Sequence, residues 1–138
     1  MVYSTSAHCK FHNRYHIVWI TKYRYKVLTR EMRLRIRALI RQICKNLGVR
    51  ILKGVLSNNH VHMFMEIPPK LSVSDVMRRI KGATSRKIQM EFPELKKRYW
   101  GRRFWARGYF CTTSGNVTNA IILQYIENHS EKPTDDSR

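Results

Sequence analysis

The chain has 138 residues, enough for one domain with a substantial core and little for a second. Hydrophobic residues at 43% and charged residues at 26% exclude a disordered or fibrous chain, yet 27 Lys and Arg oppose 9 Asp and Glu for a formal charge of +18. Such an excess spreads positive potential over the surface and selects a polyanionic partner, nucleic acid ahead of a ribosomal-type structural role or a membrane surface.

Tyr15 to Thr21, rich in β-branched and aromatic residues, predicts a first strand. A helix follows over Thr29 to Leu47, with Leu28, Met32, Ile36, Leu39, Ile40, Ile43 and Leu47 at helical spacing and Gly48 as its stop. Arg33, Arg37, Arg41 and Lys45 recur at i+4 steps on its other face. Like charges so placed repel one another, which a bound polyanion relieves; a solvated helix face is the alternative.

Val49 to Leu56 and His60 to Ile67 predict two strands joined by the turn Ser57-Asn58-Asn59. In the second, Val61, Met63, Met65 and Ile67 share one face, and His60, His62, Phe64 and Glu66 the other; Pro68 and Pro69 end it. Ser72 forms a capping pattern with Asp75 and opens a helix that turns Val76, Met77, Ile80 and Ala83 inward and finishes before Pro93. Its outer side carries Arg78, Arg79, Lys81, Arg86 and Lys87.

No period fits Glu94 to Gly108, where Lys96, Lys97, Arg98, Arg102, Arg103 and Arg107 alternate with Tyr99, Trp100, Phe104 and Trp105. That is the composition of a single-strand groove in which rings stack bases and cations follow phosphates. Trp105 is expected in the core, with Tyr99 or Trp100 as stacking rings. Tyr109 to Thr113 reads as the last strand, and Asn116 caps a final helix running to about His129. The polar tail 130–138 is expected to be disordered, so the domain spans 1–129.

The order is β-α-β-β-α-β plus one helix. It predicts an α+β fold with a four-stranded antiparallel ferredoxin-like or RRM-like sheet and an additional C-terminal helix. The crossover helices should cover the Val61/Met63 side, leaving the His60/His62 face for a ligand or for the last helix. Tyr125 and His129, at i and i+4, point together from that helix, so two imidazoles, a third ligand and a phenol can converge. Cleaving a phosphodiester needs charge neutralisation at phosphate oxygens and an in-line nucleophile, and a divalent ion beside a tyrosine supplies both.

Cys9, Cys44 and Cys111 are odd in number and lack CxxC spacing, which excludes a disulfide framework or cysteine zinc site; they read as small buried residues of a reducing compartment. Polar Ser4, Thr5, Ser6 and His8 stand where a signal peptide needs an apolar run, and no apolar segment reaches spanning length. A cytoplasmic protein is expected, nucleoid-associated when bound to DNA, with no membrane partner.

Four blocks, YHIVWITKYRYKVL, NHVHMFMEIPPKLSVSDVMRRIKGATS, RRFWARGYF and the closing YIENH, cover most of the chain. In them the sequence resembles the single-tyrosine HUH transposases, the TnpA family of minimal insertion sequences that move as single-stranded DNA. The resemblance implies that His60 and His62 are metal ligands for Mg²⁺ or Mn²⁺ and that Tyr125 is the nucleophile. It also implies a homodimer that binds hairpin ends of single-stranded DNA, cuts through a 5′-phosphotyrosine and rejoins strands in excision and integration. The arginine row and the basic-aromatic segment are then hairpin-binding candidates. Two positions depart from the family pattern: Asn59 stands where Asp is common, and His129 where Gln is common as an oxygen ligand. Three rivals remain: a tyrosine HUH nuclease of genomic palindromic repeats, a replication initiator or relaxase, and a noncatalytic RRM-like RNA-binding module. The last needs exposed aromatics on the central strands, where this chain has histidines.

Overall fold

A computed structural model describes residues 13–99, 103–113 and 119–128. Its strands are β1 (Arg14–Ile20), β2 (Arg50–Leu56), β3 (His60–Glu66) and β4 (Phe110–Thr112). Its helices are α1 (Arg30–Leu47), α2 (Val73–Glu91), the single turn α3 (Lys96–Tyr99) and α4 (Asn119–Glu127). The sheet order is β2-β3-β1-β4 with every pairing antiparallel, which is the ferredoxin-like arrangement expected of two crossover units.

Local chemistry sets the helix limits. Thr29 accepts the Met32 amide at the start of α1, and Gly48 closes it at φ 76°, a left-handed conformation in which a Cβ is unfavourable. Ser72 and Asp75 exchange a complete capping box at the start of α2. Arg35 then ties α1 to α2 by a bidentate pair with Glu91 at 2.7 and 2.9 Å.

Alternation divides the sheet. Ile17 and Trp19 of β1 join Val61, Met63 and Met65 of β3 beneath Met32, Ile36, Ile40 and Cys44 of α1 and Val76, Met77, Ile80 and Ile88 of α2. Each such side chain contributes about 1.5–3 kcal/mol on full burial, so this layer fixes which face of β3 is inside. The opposite face carries a smaller cluster, where Val18 and Ile20 meet Ile122 and Ile126 of α4. The last helix therefore lies over the histidine face, on the other side of the sheet from α1 and α2.

Trp105 is buried as expected and donates its indole N–H to Thr84 Oγ1 at 2.9 Å. Two expectations are corrected. Tyr99 is not a stacking ring: it is 3% exposed, because the chain turns helical at Lys96–Tyr99 and swings the ring between Tyr25 and Phe104. Cys111 is exposed rather than buried; it sits opposite Ile17 on the helix-covered face, but β4 is the edge strand and the helices do not shield it. Trp100, Arg102, Cys9, Asn116 and the tail 130–138 lie outside the described residues. No helix among the described residues is long and apolar enough to cross a membrane.

Candidate active site

The turn at Asn58-Asn59 sets the register of β3 and hence the site. Leu28 and Thr21 donate their amides to the carbonyls of Asn58 and Asn59, both at 2.9 Å, which locks the hairpin to the start of α1 and the end of β1. In that register His60 pairs with Ile20, His62 with Val18 and Phe64 with His16. His60 and His62 are thus side by side on the face that α4 partly covers, each half-buried.

The side chain of Asn59 is the first partner of the site. It is 8% exposed, and its Oδ1 accepts the Nδ1–H of His60 at 2.9 Å. Asn59, the departure from the family's Asp, thereby fixes the His60 tautomer: with Nδ1 protonated, Nε2 presents a lone pair, the donor a divalent cation requires. Burial holds His60 below the ordinary imidazole value. It does the same for His62, aided by the neighbouring charges of His16, His60 and Lys53. Both rings are neutral at neutral pH, the state that ligates metal.

Sequence reasoning missed His16. It stacks on Phe64 with centroids 4.1 Å apart, and its Nδ1 lies 3.1 Å from His62 Nε2, one nitrogen donating and the other accepting. His62 therefore has a hydrogen-bond partner at Nε2. The available signal was the alternation of YHIVWIT, which puts His16 on the same face as Val18 and Ile20.

Tyr125 is half-buried on α4, its ring 5.7 Å from that of Phe110, and burial pushes its phenol up to about 12. Phe110 pairs with Val18, and Val18 with His62, so two strand steps of about 4.8 Å put roughly 10 Å between the backbones of Phe110 and His62. The tyrosine shares the histidine face but is seated over β4 and β1. His129 lies outside the described residues, and no group of three His, Cys, Asp or Glu placed to hold a metal occurs among those described.

Of the cations singled out in sequence, Arg37, Arg41 and Lys45 are exposed along α1, whereas Arg33 is half-buried and donates to the Leu28 carbonyl at 2.7 Å. Arg78, Arg79, Lys96, Lys97, Arg98 and Arg103 are exposed, and Arg98 lies over the Tyr25 ring at 4.8 Å. One row lies on α1, and a second track runs along α2 and α3 to Arg103 in the segment that follows.

A family model described as "Transposase IS200 like" matches residues 9–129. The transposase of insertion sequence element IS200 from Salmonella typhimurium is 40% identical over 126 residues, 91% of this chain and 82% of that protein. The ISDra2 transposase TnpA of Deinococcus radiodurans is 30% identical over 118 residues, 86% and 84% of the two chains. A crystal structure from Deinococcus radiodurans, described as a transposase, matches with a TM-score of 0.79 at 32% identity, over 86% of this chain and 92% of that one. The fold is shared more distantly with a REP-associated tyrosine transposase bound to a REP hairpin, at a TM-score of 0.56 and 16% identity over 84% of this chain and 61% of that one.

Proposed function

The chain belongs to the IS200-like transposase family, a family of DNA-cleaving and strand-transferring enzymes, and on that premise we propose that it excises and integrates an insertion element as single-stranded DNA through Tyr125. The observation that carries the reading is the pairing of His60, its tautomer set by Asn59, with His62 on the one sheet face that α4 and Tyr125 also occupy. Hairpin ends are gripped by the exposed cations of α1 and of the α2–α3 track, which follow phosphates.

In cleavage the Tyr125 oxygen attacks the phosphorus, forming an O–P bond and breaking the P–O3′ bond. The phenol proton leaves, the departing 3′ oxygen gains one, and the 5′ end remains as a phosphotyrosine. Rejoining runs in reverse: a 3′-hydroxyl attacks the phosphotyrosine and releases Tyr125. Because the ester conserves the bond energy, no nucleotide cofactor is needed. A divalent cation, Mg²⁺ or Mn²⁺, supplies charge neutralisation at the nonbridging oxygens when bound, and His60, His62 and His129 are the residues to hold it. The remaining demand falls on the protein, which must bring a buried, neutral phenol in line with the phosphorus.

The active unit in this reading is a homodimer in which α4 delivers Tyr125 to the histidines of the partner. A nuclease of palindromic repeats is the nearer rival, and the 40% identity to an insertion-element transposase favours the transposase reading over it. The test is to mix Tyr125→Phe protein with His60→Ala, His62→Ala protein under subunit exchange, on hairpin-bearing single strands with Mn²⁺. Recovered cleavage is expected, since each heterodimer regains one complete site. Verified heterodimers that stay inactive refute delivery in trans; a wild-type chain that never forms a covalent DNA adduct refutes the chemistry itself.

A further inference from the structure

The two histidines of β3 stand in opposite states. His60 is bonded at Nδ1 by Asn59, which leaves its Nε2 presenting a lone pair. His62 is bonded at Nε2, which lies 3.1 Å from Nδ1 of His16. Nε2 is the ring nitrogen farther from the backbone, the one a strand side chain carries away from the sheet. A metal ion approaching His62 from outside the sheet therefore meets a donor that already has a partner.

Two features fix His16 in place. Its strand is paired on both sides, with Phe64 of β3 opposite His16 on one side and Thr112 of β4 on the other. Its ring lies flat on that of Phe64, with centroids 4.1 Å apart and planes 10° apart. A side chain so held gives up little further freedom when it bonds His62.

The pair is a hydrogen bond and not a ready-made chelate. Its ring centroids are 5.3 Å apart, close to the 3.1 Å gap plus the radii of two imidazoles, so the nitrogens face one another along the line of centres. An ion on that line needs about 2.0–2.1 Å to each nitrogen, a gap of about 4 Å, and the rings stand too close for it. An ion beside the line meets neither lone pair head-on.

We propose that His16 is a latch on the metal site: it holds Nε2 of His62 in the ion-free protein, and a divalent ion binds His62 only by displacing it. The proposal rests on the reading of His60 and His62 as metal ligands. In the exchange the hydrogen bond between the rings breaks and a metal–nitrogen bond forms at His62 Nε2. Where His62 is the donor, its proton moves to Nδ1 by way of water, and both rings stay neutral. The cost is the same for every ion, so it sets a threshold for loading. Mg²⁺, which prefers oxygen ligands and keeps its waters, clears that threshold least readily before substrate phosphates join the ligand set.

The test is titration of the free Mn²⁺ electron-spin-resonance signal on full-length protein without DNA. His16→Phe keeps a ring on Phe64 and removes the latch, and should tighten Mn²⁺ binding about two- to tenfold, the worth of one net hydrogen bond. His16→Asn carries an amide near the place of Nδ1 and should stay close to wild type. A folded Phe variant with unchanged affinity overturns the proposal, and one that binds more weakly does too, since it makes His16 a ligand. The scalar coupling between the two ring nitrogens, read by NMR on isotope-labelled protein, should be present in the ion-free chain and vanish when diamagnetic Zn²⁺ is added. Coupling that persists while the His62 resonances shift also overturns the latch, because the ion then uses the other nitrogen. If the His60→Ala, His62→Ala protein binds Mn²⁺ as wild type does, the metal reading fails and takes the latch with it. If that double variant loses Mn²⁺ and His16→Phe changes nothing, only the latch fails.

Discussion

Removing the Asn59 side chain tests whether His60 is held as a ligand. Its Oδ1 accepts the His60 Nδ1–H at 2.9 Å from a position 8% exposed, so Asn59→Ala leaves a half-buried donor without that acceptor and lets the ring turn or change tautomer. An orphaned buried donor costs about 1–3 kcal/mol, and loss of such an outer partner weakens metal binding about 10–100-fold, or about 1.4–2.8 kcal/mol. The fold should survive, because the structural bond at this residue runs from the Thr21 amide to the Asn59 carbonyl, which the substitution keeps. Asn59→Asp restores an acceptor and adds charge, and charge-assisted bonds are roughly twice as strong, so Mn²⁺ affinity should equal or exceed that of the native chain. The assay is titration of the free Mn²⁺ electron-spin-resonance signal, with circular dichroism to check folding. A folded Asn59→Ala protein with native Mn²⁺ affinity would refute the reasoning, as would an Asp variant weaker than the Ala one.

Tyr125→Phe keeps the ring that packs on Phe110 and should bind DNA while forming no covalent adduct on a denaturing gel; a persisting adduct moves the nucleophile elsewhere. With its phenol pushed up to about 12, Tyr125 is neutral at neutral pH, and if the phenolate attacks, adduct formation should accelerate about tenfold per pH unit below that value. A flat profile in rapid quench would instead assign proton removal to a base acting in the transition state. Arg37→Ala with Arg41→Ala, both exposed, should flatten the salt slope of hairpin binding by about 1.8, two phosphates at about 0.9 each on a duplex stem, and an unchanged slope makes the row a solvated face. Trp105→Ala should cost about 3–5 kcal/mol in urea unfolding, and Thr84→Val, which leaves the indole N–H without its 2.9 Å partner, about 1–3. Equal stabilities would show that this wall of the core is not packed as described.

The parts of the fold legible in the sequence were those written in a period. Alternation in HVHMFME separates the histidines from Val61, Met63 and Met65 without any tertiary information, and burial along β3 follows it residue by residue. The Ser72–Asp75 capping pattern located the start of α2 to within a residue or two, and helical spacing with the Gly48 stop bounded α1 as closely. What escaped depends on register or on aperiodic chain. His16 meets His62 only because β1 pairs with β3 so that Val18 faces His62, an offset no local pattern specifies. Tyr99 was misassigned because a single helical turn in a basic segment inverts which side of the chain is inside. Cys111 has the right face and the wrong strand: burial on β4 depends on what lies beyond the edge.

The seating of α4 bears on how Tyr125 is used. The described part of α4, nine residues, is too short to persist alone in water, since isolated helices below about 12–15 residues are marginal, so this stretch depends on its docking to the sheet. Its fully buried anchor is Ile122 and Ile126, 7% and 5% exposed, against Val18 and Ile20, with Tyr125, Phe110 and Ala106 partly buried around them, while Leu123 on another side remains 55% exposed. Two buried isoleucines at about 1.5–3 kcal/mol each hold the helix far less firmly than the shared core holds α1 and α2. A firmly fixed α4 would leave Tyr125 above Phe110, two strands from His62. In the proposed homodimer, a helix that needs a sheet but grips it weakly would exchange its own sheet for the same surface on the partner, and that exchange would give the phenol a route to a histidine pair without unfolding the domain.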